Sequence, residues 1–206
     1  GSSLADWPIR YEELATFYEK AEWNIGVCGD HQHMTHLPPY DKPYPMPPLE
    51  LSRKSNIFRE GLQRLGWQDL PLPRLINSVP YNDRPACIHC QHCVGFACPV
   101  DAKNGTHNTM IERALKSHNC TLLTGVIVSR LIVDDSGHVT GISTIIDMGK
   151  QQDFTASVLV LSGGAVETAR LLFNSATLQE PNGIGNNIDQ VGRYLQGHYY
   201  PVGFCL

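Results

Sequence analysis

Four cysteines within twelve residues, Cys87, Cys90, Cys93 and Cys98, with Pro99 directly after the last, carry the densest chemistry in this chain. Their spacing is C-x2-C-x2-C-x4-C-P, one residue longer in its last gap than the bacterial ferredoxin run. The thiolate spacing and the closing Cys-Pro favour an iron–sulfur cluster. A zinc site is a second reading, because His89 and His92 stand among the thiols and zinc accepts mixed sulfur and nitrogen ligands. A third is a tight loop of free or disulfide-paired thiols. Spacing alone leaves all three open. His31, His33 and His36 lie on a proline-rich stretch with no cysteine at hand, and read as solvated side chains.

A second site is suggested farther along. Val158-Leu159-Val160-Leu161 is a continuous apolar run, as expected of a strand buried on both faces. It meets Ser162-Gly163-Gly164, and Ala165–Ser175 then reads as a helix with Val166, Ala169, Leu172 and Phe173 on one face. A strand, a glycine turn and a helix N-terminus make a ready seat for a phosphate or a ribose.

The elements that must hold these sites follow from periodicity and turn residues. Leu14, Phe17, Tyr18 and Ala21 recur at helical spacing after Pro8, giving an amphipathic helix that ends near Gly26, its aromatic residues in the core. Prolines from Pro38 to Pro48 impose an extended loop. Ser52–Gly66 is a second helix with Gly66 as its cap, residues 67–85 are again extended, and Thr109–Lys116 is a short helix. From Cys120 the pattern turns to strands. A short one is expected over Thr121–Thr124, then an antiparallel meander of Val126–Val133, Val139–Ile146 and Asp153–Ala156, with Asp134-Asp135-Ser136-Gly137 as its first turn. The class is therefore α+β: helices and long extended loops, then the meander and a buried strand leading into a helix.

The chain has 206 residues, enough for a real core, and 42% of them are hydrophobic. Its net charge of −4 argues against a general nucleic-acid binder. No apolar run has the length of a transmembrane helix, and the start does not read as a signal peptide.

Taken together, these segments resemble the flavin-dependent glucose–methanol–choline oxidoreductase family, in particular its bacterial sugar and sugar-acid dehydrogenase branch. The resemblance is carried by Asp6-Trp7-Pro8-Ile9 with Tyr11 and Leu14, by Ile25-Gly26-Val27-Cys28-Gly29, and by Arg84 through Lys103. It continues in Leu123-Thr124-Gly125, in Ser162 through Thr168 with Arg170-Leu171-Leu172, and in Val191-Gly192-Arg193 with His198. Ala169 and Ala176 depart from the family's second signature, where Pro or Ser and then Gly are usual.

The resemblance implies FAD as cofactor and hydride transfer from an alcohol or sugar carbon to the flavin. It places Val128 at the adenine through its backbone and the turn Ser162, Gly163, Gly164 and Ala165 beside the flavin nucleotide. For the sugar dehydrogenase branch it implies a three-iron or four-iron cluster on Cys87, Cys93 and Cys98, with Cys90 the uncertain member, and a cytochrome as electron acceptor. A family member with an unmetallated loop would instead pass electrons to oxygen or a quinone. The reading divides the chain into 1–115, a helix and loop region on the substrate or cap side, and 116–206, the central part of the FAD-binding domain. Neither the family's Gly-x-Gly-x-x-Gly turn nor its C-terminal catalytic histidine has a counterpart here. A central fragment is therefore expected, and no catalytic residue is assigned within it. An alternative from another class is a zinc-stabilised interaction module without redox activity.

Overall fold

The computed structural model describes residues 6–31, 42–146 and 149–198. The chain divides into two compact units, Gly1–Thr121 and Leu122–Leu206. The class is α+β, with four α-helices and one three-stranded antiparallel sheet among the described residues.

The first unit holds α1 (Tyr11–Ile25), α2 (Arg53–Arg64), a 3-10 turn (Thr106–Asn108) and α3 (Met110–Lys116). Glu13 accepts the Arg10 backbone N–H at 2.8 Å and so closes the start of α1. Gly26, at φ 90°, ends the helix in the left-handed conformation that glycine adopts most readily. The Ser52 hydroxyl accepts the Ser55 N–H at the start of α2. At its end the Trp67 N–H reaches the Leu62 carbonyl and the Gly66 N–H the Gln63 carbonyl, a Schellman closure built on Gly66 at φ 69°.

The core of this unit lies between extended segments, not between helices. Cys28 bridges to Met46 on one side and to Arg74 on the other, and Ile76 bridges to Lys103. Cys28, Met46 and Ile76 are buried together, with Leu49, Tyr81 and Cys87 packed against them. The aromatic residues of α1 are not core: Phe17 is 65% exposed and Tyr18 46%. The helix is tied down at its C-terminal end, where Tyr81 Oη donates to the Trp23 carbonyl and the Arg113 guanidinium to the Asn24 carbonyl. Periodicity identifies an amphipathic helix, but it does not say what its apolar face meets.

His31 also departs from its reading as a solvated side chain. It is half-buried, with its ring centroid 3.8 Å from that of Tyr44, and the loss of water around it pushes its pKa down. His33 and His36 lie outside the described residues.

The second unit is the meander and one helix. β1 (Ile127–Val133), β2 (Val139–Ile146) and β3 (Lys150–Thr155) pair in sequence order, with Asp134 and Gly137 closing the first turn. β1 carries a bulge between Val128 and Arg130, and the Ser129 hydroxyl donates to the Ser143 carbonyl there. α4 (Gly164–Asn174) packs along β1. Its buried residue is Leu171, while Val166 and Phe173 are exposed, so the face that meets the sheet is rotated from the expected one.

Two expected strands are absent. Residues 121–124 are irregular and exposed; residues 158–161 are irregular too, with Leu159 and Leu161 half-buried and Val158 and Val160 79% and 80% exposed. An apolar extended run becomes a strand only where another strand supplies its hydrogen bonds. Among the described residues none pairs with either segment.

Ser175 joins α4 to the sheet edge. Its hydroxyl donates to the Leu171 carbonyl at 2.6 Å and accepts the Leu131 N–H of β1 at 2.8 Å, with 2% of the residue exposed. Ser175→Ala is expected to leave the Leu131 N–H unsatisfied and to lower stability by about 2 kcal/mol, readable as an earlier urea midpoint. An unchanged midpoint would show that water or a shifted carbonyl takes the serine's place.

Candidate functional site

The four cysteines line one small enclosed pocket of the first unit, together with Ile76, Ile88, His92, Pro99, Val100 and Lys103. The enclosed space is about 10 Å³, room for about one water-sized sphere. Cys87, Cys90 and Cys98 are half-buried and Cys93 is exposed; all four are free thiols.

The two ends of the run are held differently from its middle. The Cys87 sulfur accepts the His89 N–H at 3.3 Å, and the Cys98 sulfur accepts the Ala102 N–H at 3.2 Å. Burial pushes the Cys98 thiol up, but the N–H groups of Val100, Ala102 and Lys103 outweigh it, and the thiol sits below its ordinary value. Cys28, deep in the core, is pushed up by burial and behaves as a packing thiol.

Between the ends, residues 88–97 form an arch that is exposed except at the half-buried Cys90. His89, Gln91 and Gly95 take positive φ along it, and the Lys103 ammonium holds the Cys93 carbonyl at 2.7 Å. Gly95, at φ 80°, is where the long last gap turns.

Among the described residues no three His, Cys, Asp or Glu side chains stand close enough to share an ion. The donor chemistry nevertheless suits an iron–sulfur group: four cysteines line one small pocket, and N–H donors already lie on two of the sulfurs. His92 lines the pocket with its ring beside Phe96, whereas His89 does not line it.

A polar core beneath the arch had no signal in the sequence. Asn77 is fully buried and Asn104 nearly so, and the Asn104 amide donates to the Asn77 side-chain oxygen and to the Gly26 carbonyl. Arg84 closes the group through Asn104 and the Asp101 carbonyl. Isolated asparagines in a proline-rich stretch look like turn residues, and only the fold places them at the base of the cysteine loop.

In the second unit, Ser162, Gly164 and Ala165 line an open recess of about 460 Å³ with Leu161, Thr168, Ala169, Leu172, Val191 and Gly192. Gly163 is the N-cap of α4, so the free N–H groups of its first turn face this end. Gly192 lies against Phe173 so closely that a Cβ there would meet the ring at 2.8 Å. Val128 is half-buried on β1 beside the bulge, and its carbonyl receives a long 3.5 Å contact from Arg170 of α4. Val128 does not line the recess. The helix that begins at the glycine turn is nonetheless the one that reaches the Val128 carbonyl.

A family model described as GMC oxidoreductase matches residues 9–200. The chain is 30% identical over 196 residues to the fructose dehydrogenase large subunit of Gluconobacter japonicus, covering 94% of this chain and 35% of that protein. It is 31% identical to the 6'''-hydroxyparomomycin C oxidase of Streptomyces lividus, over 92% of this chain and 34% of the relative. It is also 31% identical to the 2-methyl-1,2-propanediol dehydrogenase of Mycolicibacterium austroafricanum, over 96% and 35%. The chain thus spans about a third of the length of the curated relatives it matches. These matches lend no support to the zinc-stabilised interaction module.

Proposed function

This chain belongs to the GMC oxidoreductase family, and from that premise we propose that the protein carrying it is an FAD-dependent dehydrogenase or oxidase of a sugar or other alcohol. The observation that carries the reading is the family match across residues 9–200, which takes in both units. Relatives named for fructose, an aminoglycoside and a branched diol point to CH–OH groups on polar carbon skeletons as the substrate class.

The flavin, when bound, accepts the hydride that leaves the alcohol carbon. The chain's part is to hold the nucleotide: the turn Ser162, Gly163, Gly164 and Ala165 offers backbone N–H groups at the start of α4, and Val128 offers backbone groups on β1. The test is to purify the full-length protein, release and identify its flavin, and follow the visible flavin band anaerobically while sugars and diols are added. Bound FAD bleached by a member of that panel is expected. Protein that neither carries nor takes up FAD would overturn the reading.

We further propose that Cys87, Cys93 and Cys98, with Cys90 as alternate, seat an iron–sulfur cluster, and that a cytochrome receives the electrons. A cluster supplies one-electron steps between a two-electron flavin and a haem. The support is four thiols on one pocket and N–H donors on two sulfurs. Lys103, on the pocket wall, adds a positive charge that would offset part of the thiolate charge.

A further inference from the structure

We infer that Asn77 is the positioning residue of the cysteine loop, fixing Cys87 and Cys98 as a preset pair while Cys90 and Cys93 ride on the arch between them. The use of that pair rests on the cluster reading above; its geometry does not.

Asn77 grips both roots of the loop at once. Its carbonyl accepts the Cys87 N–H at 2.8 Å, and its own N–H donates to the Ala102 carbonyl at 2.8 Å. Ala102 in turn donates its N–H to the Cys98 sulfur. One buried residue therefore stands in a continuous line of hydrogen bonds from the Cys87 backbone to the Cys98 thiol.

The side chain locks that residue in place. Its amide nitrogen faces the carbonyls of Tyr81, Arg84 and Pro85 at 3.2, 3.4 and 3.2 Å, and its oxygen accepts from Asn104 at 2.9 Å. Two amide hydrogens are shared among three carbonyls of the incoming root, a pattern that no apolar side chain of similar size can supply. The Asn104 backbone N–H also bonds the Leu75 carbonyl at 2.8 Å, so the extended segment before Asn77 is held from the outgoing root as well. By contrast, residues 91–97 are exposed and are held from outside the arch at the Cys93 carbonyl. The backbone of the two end thiols is thus anchored independently of the arch.

A trivalent phenylarsenical, which needs two adjacent thiols, reads this directly on full-length protein that has been reduced and treated with chelator. Proteolysis and mass spectrometry then identify the bridged pair. In the unchanged protein, capture on Cys87 and Cys98 is expected. Asn77→Ala keeps the two backbone links but loses the side-chain bonds to the Tyr81, Arg84 and Pro85 carbonyls and to Asn104 that lock them in place, and should reduce that capture about ten-fold. Asn108→Ala is the structural comparison. Asn108 is also buried, but it grips only the outgoing root, through the Asp101 carboxylate and the Lys103 carbonyl. It should lower stability and leave the captured pair unchanged. If Asn77→Ala does not fold, Asn77→Ser, which keeps the backbone links and one polar group, should show a smaller loss of the same capture.

Capture on Cys90 and Cys93, undiminished capture in both Asn77 variants, or equal loss in Asn108→Ala would overturn the inference. Iron and sulfide content of the protein before chelation tests the cluster reading separately. Protein without iron but with Asn77-dependent capture sinks that reading and keeps this one.

Discussion

Exchanging Cys98 for serine in the full-length protein is expected to abolish electron delivery to a haem acceptor while substrate still bleaches the flavin. On the proposed reading the two half-reactions would use different parts of the molecule. Oxidation of the alcohol would depend on the nucleotide site, whose proposed residues in this chain lie in the second unit. Onward transfer one electron at a time would depend on the cysteine loop, which lies in the first. Cys98 is the end thiol whose sulfur accepts the Ala102 N–H, so serine there removes a soft ligand from the ordered root of the loop. Expected together are loss of bound iron, loss of the cluster's paramagnetic signal, and cytochrome reduction falling to background in rapid mixing. The variant that still reduces cytochrome at the unchanged rate would show that electrons leave by another route. Cys28→Ser is the useful comparison, because that thiol packs in the core and should affect stability without affecting transfer.

The largest purely structural effect is expected from Gly141→Ala. Gly141 sits in β2, the central strand, paired with Ile132 on one side and Thr155 on the other. A methyl there would press into the carbonyl oxygen of Phe154, closer than real side-chain carbons come, and the obstacle is backbone that cannot rotate aside. β3 would have to move away, costing hydrogen bonds that hold the sheet together. The expected loss is about 3 kcal/mol, seen as a clear fall in the denaturant midpoint of the second unit. A midpoint within error of the parent would mean that β3 shifts at little cost. Glycine within a strand looks from sequence like a weakness; here the close approach of the neighbouring backbone requires it.

The cysteine run, both long strands of the first hairpin and the caps of the helices were legible because their signals are local. Ser52, Gly66, Gly26 and the Asp134–Gly137 turn act through atoms a few residues away, so residue type alone reports them. The apolar run at 158–161 was misread for the complementary reason. Its composition suits a buried strand, yet a strand exists only with a hydrogen-bonding partner, and partners are fixed by the path of the chain. The aromatic face of α1 failed in the same way: periodicity states that one face is apolar and leaves open what covers it.

What the sequence determined by itself was therefore the inventory: an α+β chain, a set of closely spaced thiols, and a glycine turn opening a helix. Those properties reside in residue type and short-range spacing, where sterics and thiol chemistry operate without help from distant chain. The tertiary structure alone decided how the inventory is held. It brought Asn77 and Asn104 to the base of the loop from positions 27 residues apart, buried them, and tied both roots of the cysteine run to one residue. It also set Arg170 of α4 over the Val128 carbonyl, 42 residues earlier. Hydrogen bonds between residues so far apart carry no periodic or compositional signature, because they depend on where folding places each backbone group and not on what stands next to it in sequence.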